Sequence, residues 1–196
     1  MTNNFIDIYF DQIKAAISNL DQKSLNKAIS ILRNLKKKQG RLFILGVGGS
    51  AGNASHAVND FRKLCEIETY APTDNVSEIT ARTNDEGFDT IFLEYLKISR
   101  FSKKDVLFIY SVGGGSLKKN VSINLINAIK QSKNVGAKSI CIVGKIDGYA
   151  YQHCDASILI DIPNKNLITP ISESMQAVIW HLFVSHNELQ TVKTKW

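Results

Sequence analysis

Two loops rich in glycine and serine carry the residues of this sequence best suited to hold an anion. Residues 46–53 read Gly-Val-Gly-Gly-Ser-Ala-Gly-Asn, and residues 111–116 read Ser-Val-Gly-Gly-Gly-Ser. Glycines let backbone N–H groups approach an anion closely, and serine hydroxyls donate further hydrogen bonds. Neither loop has the Lys-Ser/Thr ending of a P-loop, and the first is not Gly-x-Gly-x-x-Gly, which disfavours nucleoside triphosphates and dinucleotides. One such loop could be a purely steric turn, but two of them indicate a phosphate pocket.

A histidine and an aspartate follow the first loop at a spacing of four residues. His56 and Asp60 fall on one face of the helix expected there. Beside a phosphate-binding loop, this pair could move protons on a bound sugar phosphate. The alternative is a helix-surface pair, or a histidine satisfied by local hydrogen bonds, and these residues alone leave both interpretations open.

The elements that must position these residues alternate between strands and helices. Short apolar runs predict strands at 42–45, 106–110, 139–143 and 156–160, with a further one at 67–71. Helices are predicted over 51–65, 87–99, 118–134 and about 170–190, after two amphipathic helices in the first 40 residues. Continuous apolar strands alternating with helices predict a doubly wound α/β fold, in which ligands bind at the carboxyl ends of the strands.

Composition and charge exclude several classes of protein. A length of 196 residues, 44% hydrophobic and 21% charged, suits one packed domain. No apolar stretch reaches the roughly 18 residues of a membrane span, and the N-terminus lacks the features of a signal peptide, so we expect a cytoplasmic protein without a membrane partner. Three widely spaced cysteines disfavour a disulfide framework or a thiolate zinc site. The net charge of +6 is spread along the chain, which favours an anionic substrate over nucleic acid.

The order of these motifs resembles the sugar isomerase (SIS) domain family, and most closely its phosphoheptose isomerase branch. The resemblance rests on Gly46–Ser50, Ala54-x-His56, Asn84-Asp85-x-Gly87-Phe88 and Ser111–Ser116. It implies a three-layer α-β-α sandwich with a five-stranded parallel, flavodoxin-like sheet. Residues 1–40 would form a helical hairpin packed on the core, and residues 41–196 the phosphosugar-binding domain. It also implies a homotetramer whose pockets are built between subunits.

The resemblance assigns a set of residues to the substrate. Those expected to line the pocket are Gly49, Ser50, Asn53, Asn84, Asp85, Ser111, Gly113, Gly114, Ser116 and Ser172. A family serine that holds phosphate is replaced by Gly113, where backbone N–H groups would have to substitute. Asn84 and Asp85 would line the sugar pocket, from a second subunit; alternatively they form a turn in which Asp85 caps the next helix.

The catalytic positions of the branch are only partly matched. There, a glutamate four residues after the histidine shuttles a proton between C1 and C2 through a cis-enediol, and a histidine on the last helix is the partner acid. Asp60 takes the glutamate's place here, shorter by one methylene. In ungapped register Trp180 takes the place of the last-helix histidine. The adjacent His181 then lies about 100° away around the helix and points elsewhere, unless the register shifts by one.

We therefore expect Asp60 to act as the base, with His56, Glu173 or His181 as acid or polarising group. The alternative for His181 is a histidine of the core or of a subunit interface. Some members of the branch hold zinc with the first histidine, the glutamate, a glutamine and the last-helix histidine. Only His56 and Asp60 match that ligand set, with Ser172 at the glutamine position, so zinc could bind only through an incomplete set and no metal site is predicted.

The predicted function is that of an aldose–ketose isomerase acting on sedoheptulose 7-phosphate or a related sugar phosphate. The pathway would supply heptose for lipopolysaccharide or capsule. Substitutions around the pocket also fit a changed sugar in a surface-polysaccharide pathway. The alternative from a different class is a non-catalytic SIS scaffold, or a sugar-phosphate sensor, that binds another protein.

Overall fold

A computed structural model describes residues 4–194 of the chain. Its centre is a sheet of five parallel strands in the order β2-β1-β3-β4-β5. The strands are β1 (Leu42–Leu45), β2 (Thr69–Tyr70), β3 (Val106–Ser111), β4 (Lys138–Val143) and β5 (Ala156–Leu159). This is the order of flavodoxin-like sheets, and it confirms the predicted fold class.

Eight α-helices surround the sheet. They are α1 (Phe5–Ser18), α2 (Gln22–Lys37), α3 (Gly49–Cys65), α4 (Val76–Asp85), α5 (Ile91–Ile98), α6 (Ile123–Asn134), α7 (Tyr149–His153) and α8 (Ile168–Val184). Two short 3₁₀ turns, Pro72–Asp74 and Lys165–Leu167, complete the described chain. Among the residues that the structure describes, no helix is both long and apolar enough to cross a membrane.

The sheet separates two hydrophobic cores. Helices α2, α3 and α8 cover one face, where Leu32, Phe61 and Phe183 are fully buried. Helices α5, α6 and α7 cover the other face, where Phe92 and Ile129 are fully buried. Because both faces are covered, every residue of β1 and β3 is buried, which explains their uninterrupted apolar sequences.

Three of the predicted helices differ from those observed. Helix α6 begins at Ile123 rather than at 118, because Ser116 and Val121 close the preceding segment with two backbone hydrogen bonds of 2.9 and 3.1 Å. The region 87–99 contains only α5, preceded by Gly87 at a φ of 89°. Helix α4 was not predicted; none of its residues is buried. Helix α8 ends at Val184, ahead of the predicted limit near 190.

Candidate functional site

Asp60 lies at the centre of a polar cluster between α3 and α8. The residue is only 8% exposed. The indole Nε1–H of Trp180 donates to its Oδ2 at 3.0 Å, and the side-chain amide of Asn59 donates to its Oδ1 at 3.1 Å. Both carboxylate oxygens therefore accept hydrogen bonds from neutral donors, which fix the orientation of the carboxylate.

Two imidazoles approach the same carboxylate oxygen. The Nε2 atoms of His56 and His181 lie 3.6 and 3.3 Å from Asp60 Oδ2. Both histidine side chains are about half exposed, at 57% and 52%. The two rings also lie close to each other, with centroids 5.5 Å apart. Asp60 is thus the buried member of a triad whose other members reach solvent and any bound ligand.

The expectation that His181 points away from the site is wrong. Trp180 is buried, with 1% exposure, and its ring stacks on that of Tyr110 at a centroid distance of 6.0 Å and an interplanar angle of 15°. Because the indole fills this buried position beneath Asp60, the next residue of α8 lies at the rim. The core alternative for His181 is excluded by its exposure. Burial, together with the charge of Asp60, raises the pKa of Tyr110 well above its ordinary value, so the ring below Trp180 stays neutral.

The triad brings together the donor atoms of a metal site. One ligand atom from each of His56, Asp60 and His181 can be chosen so that all three lie within 4.8 Å of one another. Two imidazole nitrogens and a carboxylate oxygen with a free fourth position are the donor set of catalytic zinc sites. The sequence matched only His56 and Asp60 to a ligand set and predicted no metal site; the structure adds His181 as a third donor. The residues present therefore fit a divalent cation.

A cavity of about 210 Å³ opens beside the triad. His56, Asn59 and Asp60 line it from α3, and residues 192–194 line it from the C-terminal segment. The backbone N–H groups of Thr191 and Val192 both donate to the carbonyl of Leu64, at 2.8 and 3.1 Å, which anchors this segment to the end of α3. No pattern in the sequence indicated that the C-terminal segment forms part of the site.

A buried glutamine joins α8 to α3. Gln176, with 0% exposure, donates to Ser50 Oγ at 3.0 Å and accepts from the amide of Asn53 at 2.8 Å. Asn53 also donates to the carbonyl of Glu173 at 2.9 Å. The structure thus places Ser50 and Asn53, both predicted on the substrate, in the contact between the two helices. Gln176 was missed because a single glutamine within an apolar stripe has no distinctive spacing.

Glu173 lies at the amino end of α3. The Glu173 carboxylate lies against Gly49 and occupies the space that a side chain at residue 49 would need. A negative charge suits the amino end of a helix, where backbone N–H groups are unpaired. Glu173 and His181 are eight residues apart on α8, which is about 12 Å along the helix axis. Glu173 is therefore separated from the imidazoles of the triad.

The second glycine loop lies at the carboxyl end of β3. Ser111 Oγ accepts a hydrogen bond from Gly114 N–H at 3.0 Å, within the loop itself. Gly113 and Ser116 line a cavity of about 180 Å³, which also contacts Lys119 and Lys145. The much larger cavity of about 770 Å³ at the ends of β4 and β5 shares Lys145 with it. Of the serines predicted on the phosphate, only Ser116 lines either cavity.

Three further predicted residues lie apart from the triad. Ser172 is fully buried, and its Oγ has no hydrogen-bond partner among residues 4–194. Asn84 and Asp85 are exposed at the end of α4, where the Asn84 amide donates to the Asp85 carboxylate at 2.8 Å. The alternative in which Asp85 caps the next helix is wrong, because α5 starts after Thr90.

Comparison with known proteins identifies the family. Residues 8–144 match the model of the SIS domain. The phosphoheptose isomerase of Nitratiruptor sp. is 31% identical over 154 residues, 76% of each chain. The lincomycin biosynthesis protein LmbN of Streptomyces lincolnensis is 32% identical over 154 residues, and the match spans 75% of this chain but 56% of that protein. In fold, the chain is similar to phosphoheptose isomerase GmhA from Neisseria gonorrhoeae, with a TM-score of 0.77, 23% identity and 92% of both chains covered. The chain belongs to the SIS domain family, in its phosphoheptose isomerase branch.

Proposed function

We propose that the protein is an isomerase that interconverts the ketose and aldose forms of a sugar phosphate, with sedoheptulose 7-phosphate as its substrate. The observation that carries the proposal is the buried Asp60 carboxylate with two half-exposed imidazoles within 3.6 Å of one oxygen. Membership of the phosphoheptose isomerase branch supports the choice of a seven-carbon sugar.

Asp60 would act as the base. An aldose–ketose interconversion moves one proton between two adjacent carbons, and a single carboxylate can remove it from one carbon and return it to the other. The donors Trp180 and Asn59 hold the carboxylate in one orientation, so that little reorganisation is needed when the proton moves.

The imidazoles would donate protons to the sugar oxygens and take them back. As the carbon loses its proton, the carbonyl oxygen gains negative charge, and a nearby imidazole can donate a proton to it and take it back in the second half of the reaction. His56 and His181 are both exposed enough to contact a ligand. A divalent cation held by His56, Asp60 and His181 would take up the imidazole nitrogens and would polarise the sugar carbonyl in place of their proton donation.

We further propose a cytoplasmic homotetramer that supplies heptose for lipopolysaccharide or capsule, with pockets completed by a neighbouring subunit. Exposed apolar side chains support the assembly. Phe5, Ile6 and Phe10 on α1 are 54–65% exposed, and Val178 and Leu182 on α8 are 48% and 41% exposed. Since Val178 and Leu182 flank His181 on α8, a subunit packed there would also cover the triad. Light scattering of the purified protein measures the assembly.

The scaffold or sensor alternative loses part of its support. It rested on the apparent loss of both the last-helix histidine and the glutamine. His181 lies 3.3 Å from Asp60 Oδ2 and supplies an imidazole from the last helix, whereas the glutamine position carries the buried Ser172. We therefore propose no second function.

The direct test is conversion of substrate. Purified protein mixed with sedoheptulose 7-phosphate, and separately with hexose and pentose phosphates, is followed by NMR. The proposal expects the heptulose phosphate to be converted to an aldose phosphate, faster than the shorter sugars. Binding of the sugars without interconversion would overturn it in favour of a sensor or scaffold.

A further inference from the structure

At Ser50 and Gly49, the first glycine loop already contacts other polar groups of the protein. Ser50 is 1% exposed, and its hydroxyl already accepts the Gln176 amide. The Glu173 carboxylate lies against Gly49 at the amino end of α3. A phosphate placed there would meet a carboxylate of like sign, which is unfavourable in a partly buried site. The partial positive charge at the amino end of α3 is thus already paired with the Glu173 carboxylate.

The second loop offers free N–H groups. Its carbonyls at Gly114 and Gly115 accept from Ala150 N and Tyr149 N of α7, at 2.8 and 2.9 Å. These two glycines have positive φ values of 71° and 82°, conformations that glycine adopts readily. Across residues 4–194, the N–H groups of Gly113 and Gly115 donate no hydrogen bond.

Two lysines line the same cavity as these N–H groups. Lys119 follows the loop on the turn before α6, and Lys145 follows β4. Within the described part of the chain, neither ammonium group has an ion-pair partner. One carboxylate, that of Asp147, also lines the cavity. Two cations against one anion leave an excess positive charge at a site of about 180 Å³ that already presents the Ser116 hydroxyl.

We propose that Lys119 and Lys145 bind the phosphate of the substrate, together with Ser116 and the N–H groups of Gly113 and Gly115. This inference rests on the proposed function for the identity of the ligand. A phosphate monoester carries close to two negative charges at neutral pH, which two ammonium groups match. The lysine pair would replace the serine hydroxyl that is missing at Gly113. The phosphate would then be bound mainly by ammonium groups rather than by serine hydroxyls.

Binding of inorganic phosphate tests the inference without reference to catalysis. Its dissociation constant is measured by calorimetry for the wild type and for Lys119→Ala, Lys145→Ala and Lys118→Ala. Lys118 is the matched control because it is adjacent and exposed but does not line the cavity. We expect about a tenfold loss of affinity for each cavity lysine, less than twofold for Lys118→Ala, and partial recovery in Lys119→Arg. Circular dichroism reports whether each variant is folded.

The kinetic arm separates this inference from the proposed function. For the sugar phosphate, Lys119→Ala and Lys145→Ala should raise KM about tenfold and leave kcat within about twofold, because the lysines contact no reacting atom. Phosphate affinity and KM unchanged in both variants, with turnover intact, would overturn the lysine site and leave the isomerase standing. Lysine-dependent phosphate binding without turnover of any sugar would keep the site and remove the isomerase.

Discussion

Two buried aspartates of this protein have opposite surroundings. Asp105, which directly precedes β3 and is 3% exposed, accepts from the Arg41 guanidinium at 2.9 and 3.2 Å. It also accepts from the backbone N–H groups of Arg41 and Ser102 at 3.0 and 2.8 Å. Asp60, 8% exposed, has an indole, an amide and two half-exposed imidazoles instead. Burial is similar; what differs is the charge and accessibility of the partners.

This comparison separates a structural carboxylate from a reactive one. The Arg41 guanidinium and three further donors, the backbone N–H groups of Arg41 and Ser102 and the Ser102 hydroxyl, favour the ionised form of Asp105 and join β1 to β3 at their amino ends. Neutral donors orient Asp60 without cancelling its charge, and its titratable neighbours face solvent. We expect substitutions at the first site to change stability and substitutions at the second to change turnover.

The largest stability effect is expected for Asp105→Asn. Removing the negative charge leaves the partly buried Arg41 guanidinium without a counter-ion, which costs about 3 kcal/mol of unfolding free energy. Urea denaturation measures the change, and kcat of the remaining folded protein should be unaltered. A loss of activity in Asp105→Asn without a loss of stability would contradict the structural role of Asp105.

His181→Ala should have the reverse effect. We expect kcat to fall about 100-fold because a proton donor for the sugar oxygens is lost. The unfolding free energy should change by less than about 0.5 kcal/mol, since the side chain is half exposed. His186→Ala, just beyond α8, serves as the control and should retain activity. Equal kcat values in the two variants would exclude His181 from the site.

Trp180→Phe sharpens the comparison further. It keeps an aromatic ring on Tyr110 but removes the N–H group that holds Asp60 Oδ2. We expect kcat to fall about tenfold with KM nearly unchanged, in line with the loss of one hydrogen bond to a charged group. The sequence has two tryptophans, so two indole N–H signals are expected by NMR. The signal lost in Trp180→Phe should also be the one that moves in Asp60→Asn; an unmoved signal would refute the contact.

The smallest effect is the acid dependence of stability. Burial raises the pKa of Asp105, but the hydrogen bonds from Arg41 and Ser102 outweigh it and hold the pKa below its ordinary value of 3.8. Because the pKa of Asp105 is lower in the folded protein than in the unfolded chain, the ionised carboxylate stabilises the fold at pH values above about 3.8. This stabilisation is lost as the pH falls from about 3.8 through the pKa of the folded protein. Unfolding free energies of the wild type should therefore fall faster in this range than those of Asp105→Asn. Parallel curves would contradict the assignment.

The sheet and its loops were predictable because burial on both faces leaves a strong signal. Strands such as β1 and β3 are uninterrupted apolar runs, and the glycine loops directly follow them. Helix α4 escaped prediction because it has no buried face. The site was harder: His181 lies beside Asp60 because the preceding residue, Trp180, packs against Tyr110 and leaves the next position of α8 at the rim. Such a contact between distant elements has no local signature in the sequence.

The most direct measurement of the central claim is deuterium exchange into the sugar in D₂O, comparing the wild type with Asp60→Asn. A carboxylate that moves a proton between C1 and C2 exchanges some of it with solvent, so deuterium enters the recovered sugar phosphate. We expect incorporation by the wild type, and in Asp60→Asn a rate at least about 100-fold lower with sugar-phosphate affinity preserved. Exchange at the wild-type rate in Asp60→Asn would contradict the assignment of Asp60 as the base.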